Sequence, residues 1–199
     1  MASNPFGLMF QPRQTWTRLS DHMPTSLPGA LIYPVILALL PAVAWYFGTT
    51  QKGWAIGGSD LVRLTPESAL TIVVLFYLTM VAAVVGIGVM VHWMSQTYGA
   101  QSTLAKGIAL AGFTATPLFI AGAVGFHPQF LLDLLIGLAA VCYAVYLLYL
   151  GIPIVMKIPE ERGFLFASAV VAVCLVFLIV IMGATVILWD MGAAPTFID

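Results

Sequence analysis

The sequence predicts an all-α membrane protein built as a bundle of five transmembrane helices. Of its 199 residues, 61% are hydrophobic and only 8% are charged, whereas about a quarter of the residues in a soluble domain carry a charge. Five apolar segments reach the roughly 20 residues that a helix needs to cross a bilayer core of about 30 Å. These segments are residues 30–48, 68–93, 105–125, 130–156 and 163–189.

The segment before the first span, residues 1–29, contains the stretch QPRQTWTRLSDHM. Trp16 and Leu19 would share one helical face, and Arg13 and Arg18 would be available to lipid headgroups. Two interpretations stay open at this point. The stretch is either a short helix in the membrane interface or a loose polar tail anchored by one tryptophan.

Turn and capping compositions separate the five spans. They read GTTQKGWAIGGSD, SQTYGAQST, FHPQ and KIPEER along the chain. Because FHPQ is so short, the third and fourth spans should form a tight antiparallel hairpin. Residues 190–199 remain as a tail after the fifth span.

The third span contains GFTATPLFIAG, in which a proline interrupts an apolar helix. Pro117 removes one backbone hydrogen bond, and lipid offers no substitute partner for the freed carbonyl. Thr114 and Thr116 are nearby donors that can satisfy the kink. Small residues would also let a neighbouring helix approach closely, and the expected neighbour is the fourth helix. This row comprises Gly107, Ala111, Thr114, Gly122 and Gly125.

The fourth span carries tyrosines on one helical face. Cys142, Tyr146, Tyr149 and Pro153 are spaced 4, 3 and 4 residues apart. A phenol hydroxyl needs a partner that lipid tails cannot supply, so these tyrosines should face protein or water. Near the start of the same span, Asp133 suits the first turn of a helix.

Together the third and fourth spans supply the candidate residues for a cavity or a partner contact. Two interpretations remain, a kinked packing interface and a polar path or binding pocket. The candidates are Thr114, Thr116, Pro117, Tyr143, Tyr146, Tyr149 and Pro153.

The distribution of basic residues predicts the orientation in the membrane. With the N-terminus in the cytoplasm, five Lys and Arg residues lie inside and two lie outside, which is the bias typical of cytoplasmic loops. The C-terminal tail then lies outside. The five are Arg13, Arg18, Lys106, Lys157 and Arg162, and the two are Lys52 and Arg63.

Charge and motifs also limit the chemistry. No charged residue lies at the centre of a span, which argues against a proton relay or a voltage sensor. The sequence contains no HExxH, GxSxG or P-loop motif. The net charge is −1, without a basic run for nucleic acid, and both cysteines lie in apolar runs away from other metal ligands. We therefore expect no catalytic residues, no metal, no cofactor and no nucleic-acid partner.

The chain resembles bacterial members of the Yip1 domain family. The resemblance rests on PRQTW, on YPVILALLPAVAWYFGTTQKGW at the first span, on TPLFIAG in the third, and above all on YAVYLLYLGIPIVMKIPEERG at residues 143–163. It implies the five-span architecture and a bacterial inner-membrane location. Eukaryotic relatives are implied to act in vesicle traffic with small GTPases through longer N-terminal regions. Fewer than thirty residues precede the first span here, and no DLYGP-like motif occurs, which argues against GTPase binding.

Three functions follow as hypotheses. The first is a non-enzymatic membrane protein that organises or remodels the bilayer through self-association or by binding other membrane proteins. The second is a transporter or channel for a small neutral or weakly polar solute, with a cavity between the third and fourth spans. The third, an enzyme acting on lipid, is the weakest because the sequence shows no pairing of a nucleophile with a base.

Overall fold

A computed structural model describes residues 5–55 and 60–198. Residues 1–4, 56–59 and 199 lie outside the described part of the chain. They belong to the predicted N-terminal segment, the first loop and the tail.

The described chain folds almost entirely into helices. The α-helices are α1 (Pro12–Asp21), α2 (Leu27–Leu37), α3 (Leu39–Phe47), α4 (Pro66–Ser95), α5 (Leu104–Thr114), α6 (Thr116–Ala121), α7 (Phe130–Met156) and α8 (Glu160–Leu188). Shorter 3₁₀ turns cover Pro5–Met9 and Gly122–Phe126, and π-helical turns cover Gly48–Lys52 and Trp189–Ala193. Two short strands are β1 (Arg63–Leu64) and β2 (Phe197–Ile198).

These helices confirm the predicted fold class. Four helical stretches are long and apolar enough to cross a membrane, namely Leu27–Lys52, Pro66–Ser95, Phe130–Met156 and Glu160–Ala193. The third predicted span is a bent pair, Leu104–Thr114 and Thr116–Phe126, with an angle of 41° between its halves. Counted as one span, this pair brings the number of membrane-length segments to five.

Local sequence sets several helix boundaries. The side-chain hydroxyls of Ser26, Thr65 and Thr103 each accept a hydrogen bond from a backbone N–H in the first turn of the following helix. In the short connection between α7 and α8, Lys157 adopts a left-handed conformation with φ of 53° and terminates α7.

The third span lies at the centre of the bundle. α5 packs against α2, α4 and α7, and every residue from Gly107 to Phe113 is buried. By contrast, few residues of α4 and α8 are buried, and both helices lie at the periphery. A short, broken helix therefore forms the core, and the longest helices surround it.

Glycine contacts place the first and second spans beside the third. A Cβ added to Gly48 would overlap the carbonyl oxygen of Gly125, and one added to Gly107 would overlap the carbonyl oxygen of Gly88. Such close approach is what small residues permit between membrane helices. The expectation that the small-residue row faces the fourth helix is therefore wrong for Gly107 and Gly125. Gly122 likewise packs against Pro41 of the first span.

The N-terminal segment contains the helix that one of the two interpretations predicted, and the bundle buries its apolar face. In α1, Trp16 is fully buried and Leu19 is nearly so. The Trp16 indole lies against Gly151 of α7 and meets the Phe113 ring edge-on, with 6.4 Å between the ring centroids. This face of α1 packs on protein and not on lipid.

Four of the five basic residues that were expected inside lie at one end of the molecule, which we call the basic end: Arg13, Lys106, Lys157 and Arg162. Lys106 and Lys157 are close enough to interact electrostatically, and the Arg162 guanidinium lies near Gly99 in the α4–α5 loop. α1 reaches the same end, because Arg13 lines a groove there with Glu160 of α8.

A two-stranded sheet lies at the opposite end. β1 and β2 pair in an antiparallel register, Arg63 with Ile198 and Leu64 with Phe197. Beside it, the hydroxyls of Thr65 and Thr196 are 2.7 Å apart. The sequence did not predict this sheet, because two-residue strands leave no periodic pattern.

Candidate functional site

The break in the third span has the hydrogen bonding that its sequence predicts. Pro117 has no N–H for the carbonyl four residues earlier, which is that of Phe113. The Thr116 hydroxyl donates to this carbonyl oxygen at 2.7 Å. The expectation that a threonine satisfies the freed carbonyl is therefore confirmed for Thr116. Thr114 contributes no such bond, because its buried Oγ1 has no hydrogen-bond partner among the described residues.

The second partner of Thr116 comes from the first span. Tyr33 Oη lies 2.8 Å from Thr116 Oγ1. Because the Thr116 hydrogen is already donated to Phe113, the Tyr33 hydroxyl is the donor. Sequence reasoning missed Tyr33 and assigned this contact to the fourth span. The one local signal was a tyrosine at membrane depth, which needs a hydroxyl partner.

Tyr143 joins the fourth span to the N-terminal segment. Its hydroxyl is within hydrogen-bonding distance of the Leu8 carbonyl oxygen, at 2.9 Å, and of the Met9 carbonyl oxygen, at 3.3 Å. Leu8 itself is fully buried. The 3₁₀ turn before α1 therefore docks on the middle of α7.

Tyr149 bonds to the fifth span. Ser168 donates its hydroxyl hydrogen to the Phe164 carbonyl at 2.9 Å, so Tyr149 donates to Ser168 Oγ, 2.8 Å away. The Tyr149 oxygen keeps its own acceptor sites. Its sequence neighbour on the predicted face, Tyr146, is 47% exposed at the periphery, with its ring 5.7 Å from that of Tyr143.

The predicted site residues therefore do not form one site. Thr116 and Pro117 belong to the buried break in the third span, and Tyr143 belongs to the docking of the N-terminal segment. Tyr149 and Pro153 line a groove at the basic end, whereas Tyr146 lies on the outer surface. In the small-residue row, Gly107, Gly122 and Gly125 meet the first and second spans and not the tyrosine face that the sequence joined to them.

The groove at the basic end has a volume of about 460 Å³ and lies between α1, α7 and α8. Its walls are mostly apolar, and two side chains of opposite charge, Arg13 and Glu160, stand among them. Neither charged residue was predicted as part of a site. The lining residues are Arg13, Tyr149, Leu150, Pro153, Ile154, Ile158, Glu160 and Phe164.

A second groove, of about 510 Å³, lies at the opposite end between the residues after α3 and the start of α7. Lys52, His127 and Gln129 are among its lining residues. Nearby, the Gln129 backbone N–H donates to Asp133 Oδ2 at 3.0 Å, which confirms the expected role of Asp133 in the first turn of α7. Among the described residues, no group of three or more His, Cys, Asp or Glu side chains could hold a metal ion.

An apolar helical bundle with four to five membrane-length segments defines a polytopic integral membrane protein. The model of the Yip1 domain family matches residues 6–181. The chain belongs to the Yip1 domain family, as the resemblance at residues 143–163 implied.

Two relatives are similar over almost their whole length. The chain is 35% identical over 190 residues to the inner membrane protein YohC of Escherichia coli strain K12. These 190 residues cover 96% of this chain and 97% of the relative. The inner membrane protein YohC of Escherichia coli O6:H1 gives the same values. No solved structure is significantly similar to this chain.

Proposed function

We propose that this chain is a non-enzymatic protein of a bacterial inner membrane that organises the bilayer by associating with further copies of itself. Membership of the Yip1 domain family and the inner-membrane relatives support the setting. The absence of familiar catalytic motifs in the sequence supports the non-enzymatic part.

The observation that carries self-association is the surface of α8 near the opposite end. Between Leu175 and Gly192 no residue of this stretch is buried. Gly183 lies within it, and a Cβ added there would meet no atom of the described residues within 4 Å. Glycine weakens a helix by about 0.5–1 kcal/mol relative to alanine, and in a membrane helix its use is to let another backbone approach.

A second open glycine lies at a similar depth. Gly137 is seven residues into α7, about 10 Å from the helix start, and Gly183 is five residues before the end of α8, about 8 Å from it. A Cβ on Gly137 would also meet nothing within 4 Å in the part of the chain that the structure describes. Atoms of neighbouring residues occupy the space beside the glycines of the first and third spans. The space beside Gly137 and Gly183 is open to a partner helix.

The test measures self-association in lipid vesicles by single-molecule photobleaching over a range of protein densities. We expect the wild-type chain to dimerise, and Gly183→Ile to weaken the association about tenfold because the bulky side chain holds the partner away. Ala184→Ile is the matched control, since it places the same isoleucine side chain at nearly the same depth on another face. A monomeric wild-type chain, or equal association of Gly183→Ile, would refute the proposal.

No observation favours the transport hypothesis over this one. Thr116 is fully buried, and its hydroxyl is engaged by Phe113 and Tyr33. Neither described groove includes a residue of the third span.

A further inference from the structure

The groove at the basic end has opposite charges that do not neutralise each other. Arg13 and Glu160 both line it and are both exposed, and no ion pair joins them in the described part of the chain. A volume of about 460 Å³ lies in the range of pockets that bind small molecules. The groove can therefore accept a molecule that carries a negative and a positive group at once.

The position of Arg13 favours an anion beside it. Arg13 is in the first turn of α1, where the positive end of the helix dipole disfavours a cation. α1 also begins without a side-chain cap. A phosphate placed here would interact favourably with the guanidinium, which can bind it in a bidentate manner.

Glu160 and Tyr149 favour a hydrogen-bond donor on the other side. Glu160 supplies a carboxylate, and the Tyr149 oxygen retains acceptor sites because its hydrogen goes to Ser168. An ammonium group has three hydrogens to donate. A quaternary ammonium has none.

The remaining walls suit acyl chains. Leu150, Ile154 and Phe164 line the groove, and they lead along α7 and α8 toward exposed apolar residues such as Leu165 and Tyr146. The groove is at the end of the spans, where headgroups meet the hydrocarbon region.

We propose that this groove binds phosphatidylethanolamine, with Arg13 on the lipid phosphate and Glu160 on the primary ammonium. The inference does not depend on self-association. The phosphate of an anionic lipid would also bind Arg13, but such a lipid has no ammonium group to place beside Glu160. Phosphatidylcholine would lose the hydrogen bonds to Glu160 and Tyr149.

Native mass spectrometry of the full chain with three lipids of identical acyl chains tests the proposal. We expect phosphatidylethanolamine to bind about tenfold more tightly than phosphatidylcholine, because only the primary ammonium can donate hydrogen bonds to Glu160 and Tyr149. Phosphatidylglycerol should also bind more weakly than phosphatidylethanolamine. Equal binding of phosphatidylethanolamine and phosphatidylcholine to the wild-type chain would overturn the proposal. Tighter binding of phosphatidylglycerol than of phosphatidylethanolamine would also overturn it.

Two variants and their matched controls assign the contacts. Glu160→Gln should remove most of the preference for the amine lipid, whereas Arg13→Gln should weaken the amine and choline lipids equally. Glu161→Gln and Arg18→Gln change neighbouring exposed charges outside the groove and should leave binding unchanged. Loss of preference in Glu161→Gln as large as in Glu160→Gln would contradict the assignment.

A soluble competitor separates a lipid from a free headgroup. Glycerophosphoethanolamine has the same phosphate and ammonium but no acyl chains, so it should not displace the lipid at equal concentration. Displacement would show that the groove recognises a soluble phosphoethanolamine ester, and the proposed lipid would then be wrong.

Discussion

The Thr116 hydroxyl group connects α6, in which it lies, with α5 and α2. It donates to the Phe113 carbonyl that Pro117 leaves free, and it accepts from Tyr33. Thr116→Val should therefore destabilise the protein by about 1–3 kcal/mol, because it leaves a buried carbonyl and a phenol without partners. Thermal or denaturant unfolding in detergent measures this change.

Thr114→Val is the matched control for that substitution. The buried Thr114 hydroxyl has no hydrogen-bond partner in the described part of the chain, so valine should be neutral or slightly stabilising there. If both valine variants lose the same stability, the network around Thr116 does not support the break. If the network does support the break, adding Tyr33→Phe to Thr116→Val should cost less than the sum of the single changes, since both remove one shared bond.

Tyr149 and Tyr146 should differ although they share a predicted helical face. Tyr149→Phe loses the bond to Ser168 and should cost about 1 kcal/mol. Tyr146→Phe changes a half-exposed side chain and should stay within about 0.5 kcal/mol of the wild-type stability. Unfolding midpoints decide the matter, and equal losses would contradict the assigned bond. The expected role of these two tyrosines in a cavity or a partner contact stays a prediction.

The sequence showed which polar groups need a hydrogen-bond partner, but it seldom showed which distant residue supplies that partner. Pro117 predicted a freed carbonyl and the neighbouring Thr116 could be seen to satisfy it, because both lie within one turn. Tyr33 is 83 residues away from Thr116, and no spacing rule links positions so distant. Arg13 and Glu160 were seen only as a headgroup contact and a helix start, since nothing local shows that they line one groove.

Among the elements, the docking of α1 has the sharpest test. A Cβ on Gly151 would lie 2.7 Å from the Trp16 ring. Gly151→Ala should therefore displace α1 and make Trp16 more accessible to an aqueous fluorescence quencher. Gly137→Ala, in the same helix but with open space around it, should leave the tryptophans as they are. Unchanged quenching in Gly151→Ala would show that α1 does not depend on this contact.

The bounds of the fourth span were predictable from its run of apolar residues, whereas helix neighbours were not. The fourth span was expected at residues 130–156, and α7 has these bounds. Hydropathy does not predict which helix faces contact each other, because lipid tails and leucine side chains are equally apolar. The small-residue row therefore indicated close packing, but it did not identify the first and second spans as partners of the third.

For the whole molecule, the bias of basic residues predicts a cytoplasmic basic end. We expect single cysteines at Asp60 and Ala194, in a chain without Cys142 and Cys174, to react with an impermeant thiol reagent in intact cells. Both positions are exposed near the opposite end. Cysteines at Gln96 and Glu161 should react only after the cells are permeabilised. The reverse pattern of labelling would invert the orientation.

The burial of Trp16 also determines an order of assembly. α1 is synthesised early, but Gly151 and Tyr143, on which its segment docks, follow more than a hundred residues later. During that interval the apolar face of α1 has no protein to cover it, and the membrane surface is the nearest apolar phase. A nascent chain arrested before α7 should thus show Trp16 quenched by brominated lipid, and quenching should fall once α7 has inserted. The interfacial helix read from QPRQTW would then be a stage in biogenesis, replaced in the finished protein by a site between helices.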